Sequence, residues 1–185
     1  MKQPFTLLIA LISLSVLAQV DIAVPINNNE IPISGQSFAV LVIGYLLGKK
    51  WGAVCIVLYI VLGGLGLPIF ADGGSGFKTL AGGSGGYLYG FILAAYIAGM
   101  LNEKGWNKNF FQCVFVMTIG TIVILFFGLM QLTFKYGFFK ALEYGLYPFI
   151  PGAIIKILLG AAVVYWFHIW KNKGELDKSQ ILDSE

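Results

Sequence analysis

Six apolar runs follow one another along this chain with hardly a charge inside them, and that succession limits the fold before any motif is considered. They cover residues 5–24, 31–48, 51–67, 85–101, 110–134 and 148–170. A helix needs about 20 residues to cross a hydrocarbon core of ~30 Å. The second, third and fourth runs are slightly short for that. Of the 185 residues, 58% are hydrophobic and only 11% charged, whereas a soluble domain carries about a quarter charged. So few charges cannot clothe a water-soluble core, and the outer surface must face lipid. The expectation is an all-α integral membrane protein with six transmembrane helices and a long Gly-rich loop between helices 3 and 4. One transmembrane domain fills residues 1–185, ending in a polar, frayed cytoplasmic tail at 171–185.

The lysines give the orientation, because short cytoplasmic loops carry an excess of positive charge. With the N-terminus inside, Lys2, Lys49, Lys50, Lys104, Lys108, Lys171, Lys173 and Lys178 fall inside. Lys78, Lys135 and Lys140 fall outside, and Lys156 lies within the last run. Both termini are therefore expected in the cytoplasm, which requires an even number of spans. A competing reading takes Lys2 and the run to Leu17 as a cleaved signal peptide with a small-residue site at Val16-Leu17-Ala18. That would leave five spans and break the parity, so a retained first span is preferred.

All twelve basic residues are Lys. Nucleic-acid recognition usually leans on Arg and a clustered basic face, so it is excluded as a function. Cys55 and Cys113 sit singly in apolar runs and read as buried side chains. His168 is the single histidine, flanked by Trp166 and Trp170, and reads as an interface residue. No metal site or cofactor is expected. GGSGFKT, residues 73–79, resembles a phosphate-binding loop, but that motif needs Gly immediately before the Lys. Phe77 stands there before Lys78, so ATP hydrolysis must come from a partner.

Lys156, in IPGAIIKILLGAAVV, is the most informative single residue. A Lys near the middle of a membrane helix costs ~2.5–3.5 kcal/mol and usually faces a cavity or a partner. Snorkelling toward the outer interface is the alternative. A cationic Lys in a cavity suits an anionic ligand such as a carboxylate. The glycine-rich stretch from Pro68 to Gly86 is expected as backbone that lines a cavity rather than meeting lipid. Ser34, Gln36, Asp72, Ser75, Ser84, Tyr87 and Tyr89 gather with Lys78 on the outer side. Gly44/Gly48, Gly82/Gly86, Gly86/Gly90, Ala94/Ala98 and Ala95/Gly99 have the spacing that lets membrane helices approach closely.

Three segments carry a family resemblance. They are Pro32-Ile33-Ser34-Gly35-Gln36, Gly66-Leu67-Pro68-Ile69-Phe70, and Gly85-Gly86-Tyr87-Leu88-Tyr89-Gly90-Phe91. With Pro151-Gly152 and Lys156 in the last run, they resemble the BioY family. Its members are the substrate-binding S-components of energy-coupling-factor (ECF) transporters for biotin. The resemblance covers roughly residues 25–160. It implies six helices in a bacterial cell (inner) membrane, both termini cytoplasmic, and biotin in an outward-facing pocket capped by the long loop. It also implies partners: a transmembrane coupling protein and two ABC-type ATPases. Departures exist. Ala153 stands where many members carry Asp, and Gly83-Ser84 replaces a common Pro-Thr.

On this resemblance the function is biotin uptake, with the chain as a binding subunit and not an enzyme. Phe70, Tyr87 and Phe91 are expected against the apolar bicycle, and Gln36 and Ser84 on the ureido group. Lys156, and secondly Lys78, would take the carboxylate. Small residues of the first span, Ala10, Ser13, Ser15 and Ala18, are expected on the coupling surface. Rival readings are an S-component for another small vitamin-like or carboxylate metabolite, an intramembrane enzyme, and a purely structural membrane subunit. An enzyme would want paired acids, a His pair or a Ser–Lys dyad, and nothing in the sequence places such groups together. A structural subunit would not explain Lys156.

Overall fold

The computed structural model describes residues 3–26 and 29–182, with side chains described throughout these except at 21–33 and 174–182. Lys2 and the last three residues of the expected tail lie outside the described residues, as does the side chain of Lys178. The chain runs α1 (Gln3–Ala18), β1 (Asp21–Ile26), β2 (Asn29–Ser34), α2 (Gln36–Gly64), a 3₁₀ turn (Ala71–Gly73), α3 (Gly76–Ala81), α4 (Gly85–Glu103), α5 (Phe110–Tyr136), α6 (Phe138–Gly145) and α7 (Phe149–Leu182).

The first apolar run does not stay helical to residue 24. After Ala18 the backbone pairs as an antiparallel hairpin, Asp21 opposite Ser34 through Ile26 opposite Asn29. Pro25 lacks the N–H a helix interior needs, and Ile22, Val24, Ile26, Ile31 and Ile33 are β-branched residues that favour strands. The expected all-α fold thus gains one two-stranded ribbon, and the second helix starts at Gln36.

α2 is broken in the middle. Gly48 has φ 79° and ψ 171°, outside helical space, in a region a glycine enters without steric cost. In one straight helix Gln36 and Tyr59 would stand about 34 Å apart at 1.5 Å per residue. Instead the Gln36 Nε2 donates to the Tyr59 hydroxyl at 2.8 Å. A Cβ placed on Gly52 would lie 2.7 Å from the Cα of Gly44. The backbone therefore reverses at Gly48, and 36–47 packs antiparallel to 49–64.

α4 forms the centre of the molecule. Its small residues Gly90, Ala94, Ala95, Ala98 and Gly99 are all buried. On one side Ala95 and Gly99 meet Gly44 and the Gly48 corner; on the other Gly86 and Gly90 meet Ile124, Phe127 and Gly128 of α5. Close approach through small side chains is how membrane helices pack without a hydrophobic drive between them. Large apolar side chains are left outward on α1 (Phe5, Leu8, Ile12, Val16), α5 (Phe111, Ile122, Phe126) and α7 (Ile154, Ile155, Leu158, Leu159). Such apolar cover far exceeds what a water-soluble surface carries. Among the described residues, Phe110–Tyr136 and the segment Phe149–Lys173 of α7 are each long and apolar enough to cross a membrane, and Gln36–Gly64 is as long and apolar but folds back at Gly48. This is a helical membrane protein.

Other expectations need correction. The Pro68–Gly86 stretch is not a bare loop: it folds into the 3₁₀ turn and α3, whose Leu80 packs on the core. Apolar Phe77 and Leu80 between glycines suffice for less than two turns of helix. The backbone of the expected frayed tail stays helical to Leu182. Ala10 and Ala18 face inward and are buried, so only Ser13 of the proposed coupling residues is exposed on α1. Ser15 bonds back to the Leu11 carbonyl.

Candidate functional site

A cavity of about 370 Å³ opens where the start of α2, the 3₁₀ turn, α3, α4, α5 and α7 converge. That is within the range of small-molecule sites, which run from roughly 300 to 1,000 Å³. Its wall is largely apolar, from Phe38, Leu41, Phe70, Leu88, Phe91, Ile124, Leu125 and Phe149. Polar groups are spread around it: Ser34, Gln36, Ser37, Asp72, Thr79, Ser84, Tyr87, Thr121, Tyr144 and Lys156.

Several of these polar groups are held by identifiable neighbours. Lys156, on the second turn of α7, is half-buried and donates from Nζ to the Ser37 hydroxyl at 3.1 Å. It does not snorkel to the surface. Among the described residues the cavity wall carries no carboxylate but Asp72, and Lys156 makes no salt bridge. Gln36 is only 6% exposed. Its amide N–H is committed to Tyr59, whose hydroxyl donates in turn to the Ile69 carbonyl. That chain ties the start of α2 to the segment beside Phe70, and the Tyr59 and Phe70 rings meet edge-on at 5.4 Å.

The cap over the cavity is fastened at three points. Gln19, just past α1, donates to the Phe70 carbonyl at 2.9 Å and accepts from the Gly73 N–H at 3.0 Å. Gln131 of α5 donates to the Gly82 carbonyl. Tyr87 of α4 donates its hydroxyl to the Gly145 carbonyl at the end of α6 at 2.6 Å. Its ring lies 5.6 Å from that of Phe149, so Tyr87 links α4, α6 and α7 while lining the cavity.

Six of the seven site residues expected from sequence line this one cavity: Lys156, Gln36, Phe70, Ser84, Tyr87 and Phe91. Lys78 does not. It is exposed on α3, and its neighbour Thr79 takes the cavity-lining position. Ser75 and Tyr89 also stay out of the wall. Sequence reasoning missed Ser37, Thr121, Tyr144 and Phe149. Only Ser37 carried a signal, since it follows Gln36 directly.

Comparison with known proteins decides the lineage. The BioY family pattern matches residues 3–173. The chain belongs to the BioY family. This BioY-family chain is 36% identical over 143 residues to the biotin transporter BioY of Thermotoga maritima, covering 77% of this chain and 82% of that protein. It is 34% identical over 149 residues to the probable biotin transporter BioY of Pyrococcus horikoshii, covering 80% and 88%. Among solved structures it resembles the S-component for biotin from an ECF-type ABC transporter, with TM-score 0.78 and 26% identity over 90% of both chains.

Proposed function

We propose that this chain is the biotin-binding S-component of an ECF-type transporter in a bacterial cell membrane, taking up biotin. The observation that carries the reading is the capped cavity whose inward ammonium, Lys156, sits among apolar and aromatic walls in a BioY-family fold. Biotin has an apolar bicycle, a ureido group with two donors and one acceptor, and a valerate carboxylate. Lys156 takes the carboxylate and Ser37 hands the ammonium over to it. Phe70, Phe91 and Tyr87 enclose the bicycle, and Gln36 and Ser84 serve the ureido group.

The topology belongs to the same proposal. Six crossings are made by α1, the two arms of α2, α4, α5 and α7. The Lys49–Glu103 ion pair at 3.2 Å joins the Gly48 corner to the end of α4, and a cleft joins both to residues 167–172 of α7. Lys49, Lys50, Lys104, Lys108, Lys171 and Lys173 thus gather at one end, which supports a cytoplasmic assignment for it and for both termini. The cavity then opens outward.

No nucleotide-binding motif accompanies the cavity, so accumulation against a gradient requires a coupling protein and two ABC-type ATPases as partners. Titration of purified protein with radiolabelled biotin is the direct test. Saturable one-site binding, competed by unlabelled biotin, is expected. Absence of binding up to millimolar biotin, with binding of another small carboxylate, would assign the site to that metabolite.

A further inference from the structure

A second cleft lies at the opposite end of the molecule from the cavity. It measures about 270 Å³ and is lined by Tyr45 and Leu46 of α2, Asn102 of α4, Asn107 in the α4–α5 turn, and Phe167, His168, Lys171 and Asn172 of α7. His168, Lys171 and Asn172 are three and four residues apart and share one helix face. The uptake reading assigns this cleft nothing.

Its chemistry is one-sided. Among the described residues no Asp or Glu lines it, and the nearby Glu103 carboxylate is occupied by the Lys49 ammonium and backbone N–H. Asn107 Nδ2 donates to Asn102 Oδ1 at 2.9 Å, and Asn102 Nδ2 to the Tyr45 carbonyl at 2.8 Å. Asn172 Nδ2 lies 3.0 Å from His168 Nε2. Each of these amides keeps a second N–H beyond those contacts, and Lys171 adds a full positive charge. The level in the membrane is marked independently. All four tryptophans, Trp51, Trp106, Trp166 and Trp170, lie at this end, and Trp106, Trp166 and Trp170 are exposed. Exposed Trp marks the headgroup layer. A donor-rich, half-open cleft at headgroup depth, in a field of lysines, meets one abundant anion: the phosphate of lipid.

We infer that this cleft binds the phosphate of an anionic phospholipid headgroup, with Lys171 and His168 as the main contacts and Asn107 and Asn172 as supporting donors. Basic recesses between helices on the cytoplasmic side suit such headgroups. The inference rests on the orientation proposed above, which puts this end in the cytoplasm, and stands apart from the identity of the cavity's ligand.

The test is thermal unfolding of purified, detergent-solubilised protein with added phosphatidylglycerol, with phosphatidylcholine, and with inorganic phosphate. Phosphatidylglycerol in hundred-fold excess over its dissociation constant should raise Tm by about 5 °C or more, and phosphatidylcholine by much less. In H168Q/K171Q most of the rise should vanish. In K50Q/K173Q, which removes charge at the same end but outside the cleft, it should persist. Radiolabelled biotin binding by each variant reports folding and the cavity separately. An equal rise in H168Q/K171Q and wild type would overturn the inference, as would an equal loss in K50Q/K173Q. A full rise with inorganic phosphate alone would overturn the lipid as the source.

Discussion

Lys156 and Ser37 are 119 positions apart in sequence and bonded in the fold. An ammonium held by one hydroxyl is poised for a stronger acceptor. Charge-assisted hydrogen bonds contribute about 1.5–3 kcal/mol. Lys156→Met should therefore weaken biotin binding roughly ten- to hundred-fold. A neutral biotin amide should bind wild type more weakly than biotin does, yet lose little further in the mutant. Calorimetric titration of both proteins with both ligands measures the coupling; equal discrimination by both would remove Lys156 from the carboxylate. Lys78→Met should leave affinity within about two-fold, because that side chain is exposed outside the wall. Lys156 was legible in the sequence because a charge inside an apolar run demands compensation. Lys78 was expected on the wall because a helix of less than two turns bounded by glycines gives no periodicity from which to tell its inner face from its outer one. Thr121 and Phe149 were invisible for another reason: a Thr or Phe in a membrane helix is ordinary wherever it points.

Among the elements, small residues set the spacing that keeps the cavity open. A Cβ on Gly128 of α5 would run into the ring of Tyr87, which lines the cavity and holds the end of α6. Gly128→Ala should cost more than ten-fold in biotin affinity, while Gly105→Ala, which has open space but a φ of +83° that strains any side chain, should cost stability and leave affinity unchanged. Equilibrium binding by both variants at matched folded fraction checks this. The cap has its own fastening in Gln19, whose amide bonds the 70–73 backbone twice. Two bonds of about 1 kcal/mol each, partly solvated, imply that Gln19→Leu speeds biotin dissociation by roughly ten-fold. A stopped release chase with excess unlabelled biotin gives the rate, and an unchanged rate would mean the cap does not gate exit. The glycine spacings that brought α2, α4 and α5 together were readable from sequence. The strand pair at 21–34 was not, because Ile, Ala and Val extend an apolar run as well as they build a ribbon, and hydropathy alone does not separate the two.

The whole molecule has two unlike ends. One holds the capped cavity with Lys78, Lys135 and Lys140 near it; the other gathers Lys49, Lys50, Lys104, Lys108, Lys171 and Lys173 around the Gly48 corner and the end of α4. Lysine bias sets orientation through the short loops, so the cavity end should face outward. The two native cysteines make this testable with little engineering. Cys55 and Cys113 are free, fully buried and shielded from water-soluble reagents. A cysteine introduced at an exposed end residue is then the reactive site. Lys78→Cys should be modified by a membrane-impermeant maleimide in intact cells. Lys104→Cys, in the α4–α5 turn beside the Lys49–Glu103 pair, should be modified only after permeabilisation. The unmodified parent should stay unlabelled in both conditions, which confirms that the native thiols are silent. Lys104→Cys labelled in intact cells, with Lys78→Cys protected, would invert the molecule. The cavity would then open to the cytoplasm, where a scavenged nutrient does not arrive, and the uptake reading would fall with the orientation.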